Sequence, residues 1–421
     1  MAHSPIRPDR TVPALIVKIS EYPWHHGGVG AIRSLGRLDI PVYAITEGPR
    51  TPAAMSRHLR DSFVWPTTGL EEPAWLVEGL LDIGRRIGRP AVLIPTDDEA
   101  AVLISEHQAD LADTFLFPRI EASLPRQLAS KRGLQEICMR NDVETARASF
   151  PTTQSEASAV VENLTFPLVA KSQAVFERHR SGGVDRTTRI DDAEQLVALA
   201  RTWGEEFDVT LQEYLPCEDA EDWIVHAYCD ASSTCVVEFT GVKLRSWPPH
   251  AGFTTCALSV PNDELADIAA RLVRSIGFRG ILDLDFRYDR RDGKYKLLDF
   301  NPRVGAQFRL FETGAGIDVV RALHLDLSKA SMLQGVVAVG VAIGAVLAAR
   351  VAPLFKPGTR LAIIARTPGN DLADVLVTDD NIDSLIALLQ RSKAREEPKP
   401  PAGYTAEELE RDNPFNAWMH S

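Results

Sequence analysis

The sequence predicts an α/β protein of two or more domains, and three observations carry that expectation. A strand, a glycine-rich turn, a helix and a second strand follow one another between Ala14 and Ile45. A hairpin with one apolar and one polar face is written into Arg279 to Arg303. The chain has 421 residues, more than one core usually serves. Composition narrows the function. The apolar fraction of 45% is that of a globular protein, and the net charge of -12 argues against general nucleic-acid binding. Five cysteines are scattered without a CxxC pair, which suits neither a zinc site nor a disulfide framework and points to a reducing cytoplasm. Met1 to Arg10 is polar and contains proline, without the apolar centre of a signal peptide, so secretion is not expected.

Ala14-Leu-Ile-Val17 is the first strand, Ala31 to Leu38 a helix and Ile40 to Ile45 the next strand. After the helical Trp75 to Ile87, Ala91-Val-Leu-Ile94 supplies another parallel strand. Gly27-Gly28-Val29-Gly30 leaves room for a phosphate or carboxylate at a helix N-terminus, but GGxG is explained more readily by a tight turn alone. His25 and His26 beside it face either a cleft or solvent, solvent being the commoner case. Pro95-Thr-Asp97-Asp98-Glu99 opens a helix with Thr96 or Asp97 as N-cap.

A boundary falls at Phe117 to Leu124, before a helix from Arg126 to Arg140. Lys131 lies in its first turns, where the helix dipole does nothing for a cation, so its charge is aimed at an external anion. Leu168-Val-Ala-Lys171 ends a strand. The stretch from Ser172 to Arg189 holds Ser181-Gly182-Gly183 and several arginines without apolar periodicity, and reads as a mobile loop. No GxxxxGK[ST] occurs, so it is not a P-loop. Thr210 to Pro216, Ile224 to Tyr228 and Thr234 to Thr240 are strands; Lys243 and Arg245 then alternate on one face before two prolines. That pair either faces a substrate or blunts an exposed edge strand. Asn262 to Ile276 is an amphipathic helix through Leu265, Ile268, Leu272 and Ile276.

In the hairpin, Leu282, Leu284 and Phe286 alternate with Asp283 and Asp285, and Leu298 and Phe300 with Asp299 and Asn301. A two-residue turn at Asp292-Gly293 would set Asp285 opposite Phe300 and mix the faces. A three-residue loop, Arg291-Asp292-Gly293, sets Asp285 opposite Asp299 and Asp283 opposite Asn301, and is the expected one. Leu284, Phe286, Leu298 and Phe300 then cover the other face. Like charges directly opposite are destabilising, so the oxygen-rich patch expects a cation, and magnesium, which shares its coordination with water and phosphate, fits. An exposed hairpin with ordinary charges shows the same alternation.

Asp299-Phe-Asn301-Pro-Arg303, with Asp285-Phe286 on the paired strand, resembles the metal-binding signature of ATP-grasp enzymes. The resemblance covers about Ala14 to Leu327. Gly-Gly-Val-Gly, Arg33-Ser-Leu-Gly36, Ile40-Pro-Val and Ile94-Pro-Thr-Asp-Asp-Glu99 together are similar to the leading domain of the carboxylate-amine ligase group that includes D-aspartate ligase. It implies an ATP-grasp fold, two α+β subdomains clasping ATP, preceded by a Rossmann-like α/β domain and followed by a small C-terminal subdomain. The expected bounds are 1–120 for the leading domain, 121–328 for the ATP-grasp domain (121–212 and 213–328), 329–392 for the C-terminal subdomain and 393–421 for a flexible tail. The resemblance assigns magnesium, or manganese, to Asp285, Asp299 and Asn301, and phosphates to Lys131, Lys171 and the Gly182-Gly183 loop. It assigns the adenine edge and ribose to Glu213, Tyr214, Leu215 and Glu221, and the substrate carboxylate and transferring phosphate to Lys243, Arg245 and Arg303. Two departures stand out: Asp299 occupies a position often held by Glu, and Cys217 one often held by Gly.

The implied reaction is ATP-dependent activation of a small carboxylate, an amino acid or related acid, as an acyl phosphate that an amine attacks, giving an amide or peptide bond, ADP and phosphate. A carboxylase, a small-molecule kinase and an inactive nucleotide-binding regulator are the alternatives. The partners expected are small molecules, with no nucleic acid; a homodimer is common in the superfamily, although no sequence feature specifies one. Met332 to Ala349 is uncharged, carries Gly340-x-x-x-Gly344 and reaches the length of a short membrane span. Its Val/Ala/Gly composition, without Trp or Tyr at its ends, favours buried strands of a C-terminal subdomain instead, with Leu361-Ala-Ile-Ile364 and Val375-Leu-Val377 as partners and Ile382 to Gln390 as a helix.

Overall fold

A computed structural model of the chain describes residues 8–21, 26–172, 188–204, 207, 209–216, 220–247, 253–328, 360–367 and 370–375. Contacts divide the chain into two units, Met1–Arg360 and Leu361–Ser421. The first unit begins with β1 (Ala14–Val17), α1 (His26–Gly36), β2 (Val42–Thr46), β3 (Asp61–Val64), α2 (Pro73–Ile87), β4 (Ala91–Pro95), α3 (Asp98–Glu106), α4 (Gln108–Leu111) and β5 (Phe115–Leu116). The five strands are parallel in the order β3-β2-β1-β4-β5. The unbroken apolar runs of β1 and β4 are what a parallel sheet covered on both faces requires, and Leu15, Val17, Leu93 and Ile94 are all buried. β3, with Asp61, Ser62 and an exposed Val64, is an edge strand and too polar for the apolar pattern to reveal it.

α1 starts earlier than expected, and the glycines lie inside its first turns rather than in a turn before it. Packing explains them. A Cβ on Gly27 would stand 3.1 Å from the carbonyl oxygens of Val304 and Gly305, and one on Gly30 2.9 Å from the Phe308 ring, so the glycines let the helix lie against the segment that follows the hairpin. The open end of the sheet is closed by Asp97. As N-cap of α3 its Oδ1 accepts the Ala100 N–H at 2.8 Å, and its Oδ2 accepts the N–H groups of Ile19 and Ser20, both at 2.9 Å, and the Ser20 hydroxyl at 3.1 Å.

α5 (Leu124–Ala129) and α6 (Lys131–Arg140) replace the single helix expected from Arg126. Ser130, extended at φ -87 and ψ 133, breaks it and caps α6 by accepting the Gly133 N–H, so Lys131 is the first residue of a new helix. The strands β6 (Ala148–Ser149), β7 (Leu168–Ser172), β8 (Thr188–Ile190) and β9 (Val209–Glu213) form an antiparallel sheet in the order β6-β9-β7-β8, backed by α7 (Gln154–Ala159) and α8 (Ala193–Ala200). A second antiparallel sheet holds β10 (Ala220–Cys229), β11 (Cys235–Trp247), β12 (Phe253–Ser259), β13 (Gly280–Asp289) and β14 (Lys294–Asn301), in the order β14-β13-β10-β11-β12. α9 (Asp263–Ile276), capped by Asn262, and α10 (Val319–Leu327) pack on it. β15 (Arg360–Thr367) and β16 (Asn370–Val375) pair antiparallel. The expected features at Met332 to Ala349, Ile382 to Gln390 and 393–421 lie outside the described residues; among those described, no helix is long and apolar enough to cross a membrane.

Replacing Asp97 with Ala removes a helix cap and leaves three buried donors without an acceptor. The expected loss is about 3 kcal/mol, read as a shift in the urea midpoint with unchanged slope. Thr96→Ala, whose hydroxyl makes one bond to the Val17 carbonyl at 3.0 Å, is expected to cost less.

Candidate functional site

The hairpin of β13 and β14 reaches the expected register by an unexpected route. Asp285 stands opposite Asp299 and Asp283 opposite Asn301, but at the turn Asp289 pairs with Lys294, which leaves a four-residue loop, 290–293, with Gly293 at φ 70. The register shifts between Asp285 and Phe286, because Leu298 is an extra residue in β14. The expected three-residue loop and buried Leu298 are therefore corrected: Leu297 is buried at 2% exposure beside Phe300, while Leu298 is only half-buried. The loop end is fixed by Asp289, whose carboxyl is held below the usual range by the Arg291 and Lys296 side chains that donate to it.

The bulge also builds the site. The Leu298 carbonyl accepts from Lys131 Nζ at 3.1 Å, and the same ammonium pairs with Asp299 Oδ1. Lys243 of β11 pairs with Asp285 at 2.5 Å. Burial pushes the Asp285 carboxyl up to about 6, with Asp283 and Asp299 adding to the rise and Lys243 opposing it. Burial alone would raise Asp299 too, but Lys131, with Lys171 and Lys243 behind it, outweighs burial and leaves that carboxyl below the usual range. Lys171 sits at the end of β7 and donates to Gln212 Oε1 at 3.1 Å. Burial, reinforced by Lys131 and Arg287, lowers its ammonium to about 8.

Arg303 joins the sheet to the leading domain. Its Nη2 donates to Asn301 Oδ1 at 2.9 Å, its Nε stands 3.2 Å from Asp98 Oδ1, and its Nη1 lies 3.5 Å from Asp283 Oδ2. Asp283 is closed in from the other side by His226 Nδ1 at 3.2 Å, and a Cβ on Gly305 would fall 2.0 Å from Asp283 Oδ2. Asp98, His226 and Gln212 were not among the expected site residues. His226 pairs with Asp283 across β10 and β13, a pairing of strands more than fifty residues apart that alternation within one strand does not specify.

The remaining candidates divide. Leu215 offers its carbonyl to Arg287 Nη1 at 2.9 Å, and Arg287 also grips Asp222 with two bonds of 2.7 and 3.0 Å. Glu213 pairs with Arg147 at 2.6 Å and accepts from the Thr165 N–H, and the Arg189 guanidinium lies 4.7 Å from the centre of the Tyr214 ring. Glu221 accepts from Trp223 Nε1 at 3.1 Å and pairs with Arg290 at 2.9 Å. Arg245 does not share the buried surroundings of Lys243: a register shift separates the two, and Arg245 is exposed. Gly182 and Gly183, like His25, lie outside the described residues.

Whether this donor set suits a divalent cation is decided by its chemistry. Asp285, Asp299 and Asn301 offer hard oxygen atoms from adjacent positions of one hairpin. Burial first, and then the neighbouring Asp283 and Asp299 charges, hold the Asp285 carboxyl up against the opposing pull of Lys243. Among the described residues no cluster of three His, Cys, Asp or Glu side chains is placed to hold a metal, so a dedicated protein cage is absent there. Magnesium, which takes few protein ligands, fits the two carboxylates and the amide better than an ion needing a full protein shell.

No family model matches the chain. It is 24% identical over 249 residues to the D-aspartate ligase of Enterococcus faecium strain Aus0004, a match covering 56% of this chain and 58% of that protein, less than two thirds of its length. Among solved structures it is similar to an L-amino acid ligase from Bacillus licheniformis, with a TM-score of 0.58 at 14% identity over 98% of this chain and 97% of the other. It is also similar to the biotin carboxylase domain of Hydrogenobacter thermophilus 2-oxoglutarate carboxylase, solved with MgADP, ADP and bicarbonate, with a TM-score of 0.55 at 16% identity over 77% and 70% of the two chains. The fold of this chain is the ATP-grasp fold, and the proteins that it resembles in sequence and in structure are ATP-grasp proteins.

Proposed function

We propose that the chain is an ATP-dependent carboxylate-amine ligase that activates an amino acid or a related small acid as an acyl phosphate and passes it to an amine, releasing ADP and phosphate. The observation that carries this reading is the meeting of Asp285, Asp299 and Asn301 with Lys131, Lys243 and Arg303 in one half-buried patch. The D-aspartate ligase and L-amino acid ligase among the similar proteins support an amino acid as the acid that is activated.

Each side chain then has a task. Lys131 and Lys171, with the Gly182-Gly183 stretch, bind the phosphates of ATP. Lys243 and Arg303 neutralise charge on the transferring phosphoryl group and on the acyl phosphate, in surroundings where burial strengthens electrostatic contacts. Asp98 and Asp283 keep the Arg303 guanidinium in place from two sides. Asp285, Asp299 and Asn301 would hold magnesium, which when bound supplies charge neutralisation across the phosphates. No protein nucleophile is needed, because phosphorylation itself makes the acid's oxygen a good leaving group. Attack by the amine needs the amine unprotonated and water kept out.

The test is ADP release from ATP and magnesium across a panel of amino acids and other carboxylates, with and without amines. ADP formation that needs both a carboxylate and an amine is the expected result. ADP with a stable phosphorylated product instead identifies a kinase, and tight ATP binding without turnover on any pair identifies a regulator. In the same assay Asp299→Ala and Asn301→Ala are expected to lower turnover on the order of 100-fold or more, with circular dichroism unchanged.

A pH dependence follows from Lys171. Its neighbours in charge are Lys131, Asp299 and Arg287, and in the free protein it loses its proton at about 8. Phosphate binding favours the ammonium form, so above that pH binding must first take up a proton. Nucleotide affinity is expected to fall as pH rises through about 8, by up to about tenfold per unit. Lys171→Arg, which stays charged, is expected to flatten that slope in a calorimetric titration. An unchanged slope in the variant would remove Lys171 from the phosphate site.

A further inference from the structure

Away from the phosphate-facing patch, the turn between β10 and β11 brings two thiols together. Cys229 ends β10 and Cys235 opens β11; they pair directly across the ladder with their Sγ atoms 3.1 Å apart. The register shifts between Tyr228 and Cys229, so the pair sits just past an irregular step of the ladder, and a disulfide requires its sulfurs to close to about 2.05 Å. The sulfurs already meet at 3.1 Å, and about 1 Å of further approach closes the bond. The approach is fixed by the turn: Asp230 Oδ1 accepts the N–H groups of Ser232 and Thr234 at 2.9 and 3.0 Å and the Ser232 hydroxyl at 2.6 Å, and Ser233 adopts φ 61. The sequence showed only five cysteines without a CxxC pair; a hairpin juxtaposes two of them at a spacing that no short motif describes.

The two thiols differ in access. Cys229 is fully buried and Cys235 is partly exposed. Burial, and then the neighbouring Cys235, push the Cys229 thiol well up, so Cys235 is the sulfur that meets a reagent from solvent. Cys138 and Cys256 are buried on α6 and β12, and among the described residues no other two cysteines are in contact.

We propose that Cys229 and Cys235 form a thiol–disulfide exchange site whose co-reactant is a small-molecule disulfide of the glutathione disulfide class. Cys235 gives its proton to solvent and its Sγ attacks one sulfur of the small disulfide; that S–S bond breaks and one small thiolate leaves. Cys229 then loses its proton and attacks Cys235 Sγ, breaking the mixed disulfide and releasing the second thiolate. Two electrons pass from the protein to the small disulfide. The products are one intramolecular S–S bond and two small thiols, each carrying a proton taken back from solvent. The cross-link closes the β10–β11 turn and is reversed by excess small thiol. It depends on none of the groups assigned to ATP, so its fate is separate from that of the ligase reading.

The experiment treats the reduced full-length protein with glutathione disulfide under native conditions, quenches with an alkylating agent and measures intact mass and linked peptides. The expected result is loss of two alkylatable thiols per chain, a peptide cross-linked between Cys229 and Cys235, and full recovery of both thiols with dithiothreitol. Cys229→Ser, which removes the resolving sulfur, is expected to hold one glutathione on Cys235, whereas Cys138→Ser and Cys256→Ser leave the cross-link intact. Retention of both thiols in the native wild type overturns the proposal, as does a link to another cysteine or between two chains. So does a Cys229→Ser protein that takes up no glutathione at Cys235.

Discussion

The constraint on which the site depends is the neutralisation of two carboxylates that one hairpin places side by side. Asp285 and Asp299 face each other across β13 and β14, and each is met by a lysine from a different part of the chain, Lys243 from β11 and Lys131 from α6. Such pairs contribute little net stability, because taking the charges out of water costs about what their attraction returns. Removing one partner is another matter, since it leaves a half-buried charge uncompensated. The four groups therefore fix where α6 and strands β11, β13 and β14 stand relative to one another more than they deepen the fold. On the proposed reading, a magnesium ion with its phosphates would take over both carboxylates and both ammonium groups without leaving any of the four uncompensated, so one set of internal ion pairs could serve as the nucleotide site.

Around this patch the leading parallel sheet is fastened at two levels. Asp97 fixes the ends of β1 and β4 to each other through backbone N–H groups, and its neighbour Asp98 turns toward Arg303. Consecutive carboxylates thus serve the leading domain's own structure and the Arg303 guanidinium. Gly27 and Gly30 let α1 lie close against the segment after Arg303, whose Val304 carbonyl accepts from Arg303 Nη1 at 3.4 Å beside its acidic neighbours. Gly305 completes the arrangement by leaving room for the Asp283 carboxylate beneath the chain.

Much of this was legible in the sequence where chemistry is local. The runs of β1 and β4, a cap at Thr96 or Asp97 and the pairing of Asp285 with Asp299 follow from apolar periodicity, capping preference and the aversion of like faces to mixing, and the structure places the cap at Asp97. The break at Ser130 was not legible, because a serine inside a helical pattern reads as a weak helix residue until its side chain is seen capping Gly133. Nor was the glycine run, where the deciding atoms belong to Val304, Gly305 and Phe308, nearly three hundred residues away. His226 and Asp98 were missed for the same reason: each earns its place from a partner on a distant element.

The hairpin shows how a correct register can rest on the wrong count. A four-residue loop displaces the strands by one position, which on its own would turn Asp299 toward the core and Phe300 toward the polar face. The extra residue at Leu298 reverses that displacement just before the acidic positions. Near the turn, Leu297 fills the core; beyond the bulge, Phe300 does, and Asp299 with Asn301 faces the site. The bulge frees a carbonyl from the ladder at the same point, and Lys131 takes it. One inserted residue therefore sets the side on which the carboxylates lie and supplies the anchor that holds a lysine against them.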